Sequence, residues 1–215
     1  MKRLHDISPR IHPGTAVWPG DVPFSRAVAL SIAGGDHLEL SSITTTVHIG
    51  AHTDAPSHYV PGAAIHERDP ALYLGPCQVV TVDVPKGARI APEHLQVPVT
   101  EPRILFRTGT FPDPDHFDRD FAALSPALVH HLADRGVRLV GIDTPSVDVC
   151  DDAELLAHHA IAERDLAILE GIVLDGVPDG TYTLIALPLP LERCDASPVR
   201  AMLLTEIITD PLETP

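Results

Sequence analysis

The sequence predicts an α/β fold: a single compact β-rich domain, with a mixed or barrel-like β core and a few packed helices. Two observations point to it. Most apolar stretches are β-branched or alternate with period two, whereas clear helix signals are few. Strands followed by helices recur only in part, which argues against a regular doubly wound sheet. The length of 215 residues suits one domain, residues 1–215, large enough to bury a core.

In chain order, residues 1–36 are rich in Pro and Gly and are expected to form a loop-and-strand arm. Leu38 to Val47 (LELSSITTTV) is β-branched and alternating, a strand running into the next motif. Residues 59–76 suggest loop with a short helix, and Gln78 to Val84 alternates as a strand. A short helix is expected after Pro92, within Ile90 to Leu95, followed by a strand from Arg103 to Thr108 that Gly109 ends. Ser125 can cap a helix whose first turn holds Pro126, whose apolar stripe is Leu128, Val129, Leu132 and Ala133, and whose stop is Arg135-Gly136. Val137 to Ile142 is a buried strand, and a second helix is expected from Asp152 to Arg164. Strands follow at Ala167 to Leu174, Thr181 to Leu187 and Val199 to Ile208. The 22 prolines require many turns and strand ends.

Apolar residues make up 44% and charged residues 21%, a globular balance. The net charge of -15 repels phosphate backbones and anionic lipid, so no nucleic-acid or membrane partner is expected. No apolar run is long enough to span a bilayer, and the N-terminus lacks the apolar core of a signal peptide. The three cysteines, Cys77, Cys150 and Cys194, form no CxxC pair. A reducing, cytoplasmic setting follows.

Chemistry concentrates in His48-Ile49-Gly50-Ala51-His52-Thr53-Asp54-Ala55-Pro56-Ser57-His58. Imidazole and carboxylate are ligands of zinc, manganese and iron. In a straight strand, residues four apart lie about 13 Å from each other, too far for one ion. The chain must therefore turn, and Gly50 is where it can. That predicts two imidazoles and a carboxylate curled around an ion; the bland alternative is a surface histidine cluster. Glu170 stands in an apolar run, where a carboxylate costs several kcal/mol unless paired or metal-bound. Otherwise it faces solvent or a buried arginine. His158-His159 lies upstream on the expected second helix. On a continuous helix His158 and Glu170 would be about 18 Å apart, so they share a metal only if the helix ends between them. The pair His130-His131 is expected to be solvent-exposed.

The HxGxHxDxPxH pattern at His48 to His58, FRTGT at Phe106 to Thr110, GIDTPSVD at Gly141 to Asp148 and ILEG at Ile168 to Gly171 resemble the metal-dependent cyclase family over almost the whole chain. WPGD at Trp18 to Asp21 and the ALPL…DASPVRA stretch at Ala186 to Ala201 are similar to its bacterial kynurenine formamidase branch. The resemblance implies that His48, His52 and Asp54 bind one metal. It implies that Asp54 bridges to a second metal held by His158, rather than His159, and Glu170. It gives His58 the role of catalytic acid/base and sets Trp18 against an aromatic substrate. It further implies a homodimer and, in tryptophan degradation, hydrolysis of N-formyl-L-kynurenine to L-kynurenine and formate by a metal-activated hydroxide at a binuclear site. The expected cofactors are two divalent ions, zinc by ligand type, with manganese also compatible.

The absence of a GxSxG elbow argues against a serine hydrolase. Three other readings stay open: ring opening of isatin by the same site, a metal-dependent dehydratase, and a non-catalytic metal-binding protein.

Overall fold

The computed structural model describes residues 4–212. In chain order the elements are β1 (Leu4–Asp6), β2 (Ser25–Leu30), β3 (Leu40–Thr44), β4 (His52–Asp54), β5 (Leu74–Thr81), β6 (Arg89–Ile90), β7 (Arg103–Arg107), β8 (Ala123–Leu124), α1 (Pro126–Ala133), β9 (Leu139–Ile142), α2 (Leu156–Glu163), β10 (Ala167–Leu169), β11 (Gly180–Ile185), β12 (Ala196–Pro198) and β13 (Met202–Leu204). Single 3₁₀ turns, such as Pro56–His58 and Pro70–Tyr73, punctuate the loops. Among the described residues no helix is long and apolar enough to cross a membrane.

One seven-stranded sheet organises the molecule, in the order β1-β13-β11-β5-β7-β9-β10. The strands from β1 to β5 pair antiparallel, and those from β5 to β10 pair parallel. The sheet is therefore mixed, as the uneven alternation of strand and helix signals predicts. Its parallel strands are covered on both faces, so they are continuous apolar runs. The pleat sends Ile104, Phe106 and Ile142 to the face where α1 and α2 supply Leu128, Leu132 and Ile161. Leu105, Leu139 and Leu169 point the other way, among Ile7, Leu184 and Leu203.

Local signals set α1. The Ser125 side chain accepts from the Leu128 N–H at 3.1 Å, and Pro126 occupies the first turn. Other boundaries were set by local side-chain bonds or by tertiary pairing. The second helix starts at Leu156, not Asp152, because the Asp152 carboxylate accepts from the Glu154 and Leu156 N–H groups and Leu155 turns with φ +49°. β10 stops at Leu169, well short of the expected Leu174. The predicted strand from Val199 to Ile208 is shortened to Met202–Leu204, which joins the main sheet, and Ala196–Pro198, just before it and unforeseen as a strand, pairs with β4. Within the expected arm, Leu4–Asp6 is the edge strand beside β13, while β2 and β3 form a separate two-stranded ribbon. The strand predicted through Val47 ends at Thr44 in that ribbon.

Candidate active site

The site lies beyond the carboxyl ends of the parallel strands, where loops leave β7, β9 and β10, the usual position for ligands on such sheets. Gly50, at φ +59°, turns the chain so that β4 carries His52 and Asp54 inward. The β4 strand then meets the end of β10 directly. The His52 N–H donates to the Glu170 carbonyl at 3.1 Å, and the Glu170 N–H donates to the His52 carbonyl at 2.9 Å. Gly171, at φ +63°, follows at once, and a Cβ there would sit 2.2 Å from the Gly50 carbonyl oxygen. Two glycines thus let two ligand-bearing loops touch. His158 arrives from the first turns of α2, which ends at Glu163 before Asp165 turns back with φ +50°. The helix does end between His158 and Glu170. His159 is exposed.

The structure brings His48, His52, Asp54, His158 and Glu170 together around one point. His48 Nδ1 lies 3.0 Å from Asp54 Oδ1, and His52 Nε2 lies 3.2 Å from Glu170 Oε2 and 3.6 Å from Asp54 Oδ1. His158 Nε2 is 3.6 Å from Asp54 Oδ2 and 3.8 Å from Glu170 Oε1. Each histidine has its other ring nitrogen tied elsewhere. His52 Nδ1 is on the Gly50 carbonyl at 2.9 Å, His158 Nδ1 on Asp148 at 2.8 Å, and His48 Nε2 on Asp195 at 3.0 Å. Such outer partners fix ring orientation and aim the remaining nitrogen. His158 Nε2 is buried with no hydrogen-bond partner, and Asp54 Oδ1, although 3.0 Å from His48 Nδ1, receives no well-aligned hydrogen bond. Orphaned buried polar atoms are costly, and here they converge. Glu170 is 2% exposed, with the Val147 N–H donating to Oε1 at 2.6 Å. It faces histidines, not an arginine or solvent. This imidazole and carboxylate set fits divalent cations.

Two buried carboxylates facing imidazoles demand positive charge. Burial pushes the His48 and His158 pKa values down. The carboxylates more than reverse it: Asp54 and Asp195 raise His48 to about 9, and Asp148, with Asp54 and Glu170, raises His158 to about 10. Asp54 is held well below the usual carboxylate range, against the opposing effect of burial, by His158, His48 and His52. Burial also raises Asp148, yet bonds from His158, the Ala157 and His158 N–H groups and Arg89 keep it well below its ordinary value.

These groups open onto a cavity of about 840 Å³. His58, exposed on the 3₁₀ turn after β4, is at its rim, with its ring 4.3 Å from that of His48. It can join His48 and Asp54 as a cluster of potential ligand atoms. Half-buried Trp18 also lines the cavity, edge-on to Phe117 at 5.2 Å and Phe121 at 6.4 Å. The His130-His131 pair sits apart on α1, partly exposed, with His130 3.6 Å from Glu163.

Sequence reasoning gave no role to Asp148 or Asp195, although both stand in the GIDTPSVD and DASPVRA motifs. The partners of Asp195, His48 and His58, come from a distant segment, and Asp148 meets His158 across a loop whose path residue spacing does not give. Tyr59, whose ring lies 5.0 Å from that of His158, was missed for the same reason.

A family model described as "Putative cyclase" matches residues 5–149. The chain is 44% identical over 206 residues to a kynurenine formamidase of Bordetella petrii, covering 94% of this chain and 98% of that protein. It is also similar to the solved structure of a potential metal-dependent hydrolase with cyclase activity, at 28% identity and a TM-score of 0.79 over 95% of this chain and 98% of that one. Isatin hydrolase A from Labrenzia aggregata shares the fold, with a TM-score of 0.78 at 23% identity over 95% of this chain and 94% of that one.

Proposed function

The chain belongs to the cyclase family, and from that membership we propose that it is a metal-dependent amide hydrolase converting N-formyl-L-kynurenine to L-kynurenine and formate. One observation carries the reading. Three imidazoles and two carboxylates converge, with His158 Nε2 unpartnered and Asp54 Oδ1 without a well-aligned hydrogen bond, in a cavity that Trp18 also lines. The 44% identity to a kynurenine formamidase supports the substrate.

His48, His52, Asp54, His158 and Glu170 would hold two divalent ions, zinc by ligand chemistry. When bound, these ions supply Lewis acidity that polarises the formyl oxygen and eases deprotonation of water. The protein's own groups do the rest. Gly50, Asp148 and Asp195 keep the ligand imidazoles aimed. Trp18 and Phe117 offer edges and faces to the substrate's aryl ring. His58 Nδ1 lies 3.2 Å from Asp195, which leaves Nε2 for the reaction. His58 takes a proton from the attacking water and returns it to the aniline nitrogen as the C–N bond breaks. That nitrogen is a poor anion and needs the proton to leave. Formate and the free aromatic amine result.

Replacing His58 with Ala should leave metal content unchanged and lower kcat by about 100-fold or more, the usual scale of acid/base loss. Metal loss in that variant would instead make His58 a ligand. For the substrate, kcat/KM on N-formyl-L-kynurenine should exceed that on isatin by about 100-fold or more, the scale on which a pocket built for one substrate's polar groups rejects another. The reverse ranking would move the assignment to isatin ring opening.

A further inference from the structure

Asp195 ties two functional histidines with one oxygen. Its Oδ2 lies 3.0 Å from His48 Nε2 and 3.2 Å from His58 Nδ1. A carboxylate oxygen has lone pairs for both donors. The backbone that carries it is fixed on two sides. The Asp195 carbonyl accepts from the Ala55 N–H at 2.8 Å, one residue past Asp54, and the Cys194 carbonyl accepts from the Ile65 N–H at 2.9 Å. Just beyond, Ala196 stands opposite Asp54 in the β12–β4 ladder. Arg193 turns into this segment at φ +61°, its N–H on His66 Nδ1 at 3.2 Å. His58 is held on its own side by its N–H to the Ala55 carbonyl at 2.9 Å. Both ends of the Asp195–His58 contact are therefore anchored to the residue that follows the metal-site strand.

We propose that Asp195 is a positioning residue, which holds His58 with Nδ1 protonated towards the carboxylate and Nε2 free to take the proton of the attacking water, while steadying ligand His48 through the same oxygen. The chemistry follows from the ring. A neutral imidazole accepts at one nitrogen only if the other carries the hydrogen, and a carboxylate beside Nδ1 selects that tautomer. Asp195 is partly open to solvent, so its contribution should be smaller than that of a fully buried partner. The competing possibility is a surface acid satisfied by two nearby imidazoles, contributing to local order alone. This inference rests on His58 being the acid/base.

The test compares Asp195→Ala, Asp195→Asn and Asp195→Glu in the metal-loaded enzyme. It reads kcat and KM on N-formyl-L-kynurenine, metal content, and the His58 ring tautomer by ¹⁵N NMR. Asp195→Ala should retain metal and keep KM within about threefold, lose about 10- to 100-fold in kcat, and lose the Nδ1–H tautomer of His58; Asp195→Glu should recover part of both. Unchanged kcat, a change confined to KM, or full recovery of kcat on adding excess metal would overturn the proposal, the last by reducing Asp195 to support for His48 alone. If Asp195→Ala does not fold, the isosteric Asp195→Asn is read against the same outcomes. The tautomer is read without turnover. A fully active His58→Ala would therefore sink the acid/base reading while leaving the tautomer result to judge Asp195.

Discussion

At the scale of residues, the site is a matter of which ring nitrogen faces where. His158 has Nδ1 on Asp148 and Nε2 orphaned towards Asp54 and Glu170. Asp148→Asn removes the charge behind that ring while keeping its shape, and should weaken metal binding or activity by about 10- to 100-fold, read by metal titration and kcat. Proton linkage gives a second prediction. In the metal-free protein, His48 and His158 are raised to about 9 and about 10 from an ordinary value near 6.5. The stability that their protonated forms contribute is complete below about pH 6.5 and is lost as pH rises through those raised values. A metal must displace those protons. Uptake should therefore release protons, and apparent affinity should rise with pH between about 7 and 10; calorimetry in buffers of different ionisation enthalpy measures both. At this scale the sequence was partly legible. The His48 to His58 cluster and the misplaced charge of Glu170 stood out from residue type alone. The choice of His158 over His159 did not, because neighbours on a helix differ only in which side faces the sheet. Asp195 left no spacing signal, since its partners are distant in the chain, and Asp148 left none because the loop that folds it onto His158 follows no regular period.

At the scale of elements, two loops touch because neither carries a side chain at the contact. Gly171→Ala would put a Cβ 2.2 Å from the Gly50 carbonyl oxygen and force an alanine into φ +63°. It should cost about 1–3 kcal/mol from the backbone conformation alone, more with the clash, and separate β4 from Glu170. Denaturant unfolding and metal content check it: stability falls and bound metal falls with it. Elements closed by local bonds were legible. The Ser125 cap and Pro126 of α1 needed nothing from elsewhere. α2, β10 and β12 were displaced or missed because partners outside each element set their ends: Asp148 takes the Ala157 and His158 N–H groups, His52 pairs with Glu170, and β4 pairs with Ala196–Pro198.

At the scale of the molecule, the mixed sheet followed from its apolar runs, whereas strand order did not, because pairing between distant strands is not written in local periodicity. Arg103 is fully buried and completely engaged, forked onto Asp210 and onto the Leu72 and Ala71 carbonyls. Asp210→Ala leaves that charge unpaired and should destabilise the fold by about 3–5 kcal/mol, measured by denaturant unfolding, with the site intact. The β2–β3 ribbon leaves Ile43, and its connecting turn Ile32, 64% exposed, and an isolated two-stranded ribbon is marginal in water. The homodimer expected from the family resemblance would cover it. Light scattering should give twice the chain mass, and Ile43→Glu should shift it towards the monomer. Central to the function proposed for this chain is metal-dependent hydrolysis of a formamide. The most direct test measures formate release from N-formyl-L-kynurenine by the purified protein as isolated, after chelation, and after zinc is restored. The expected result is release that chelation abolishes and zinc returns. Release that survives complete removal of metal, or none from the metal-loaded protein, would contradict it.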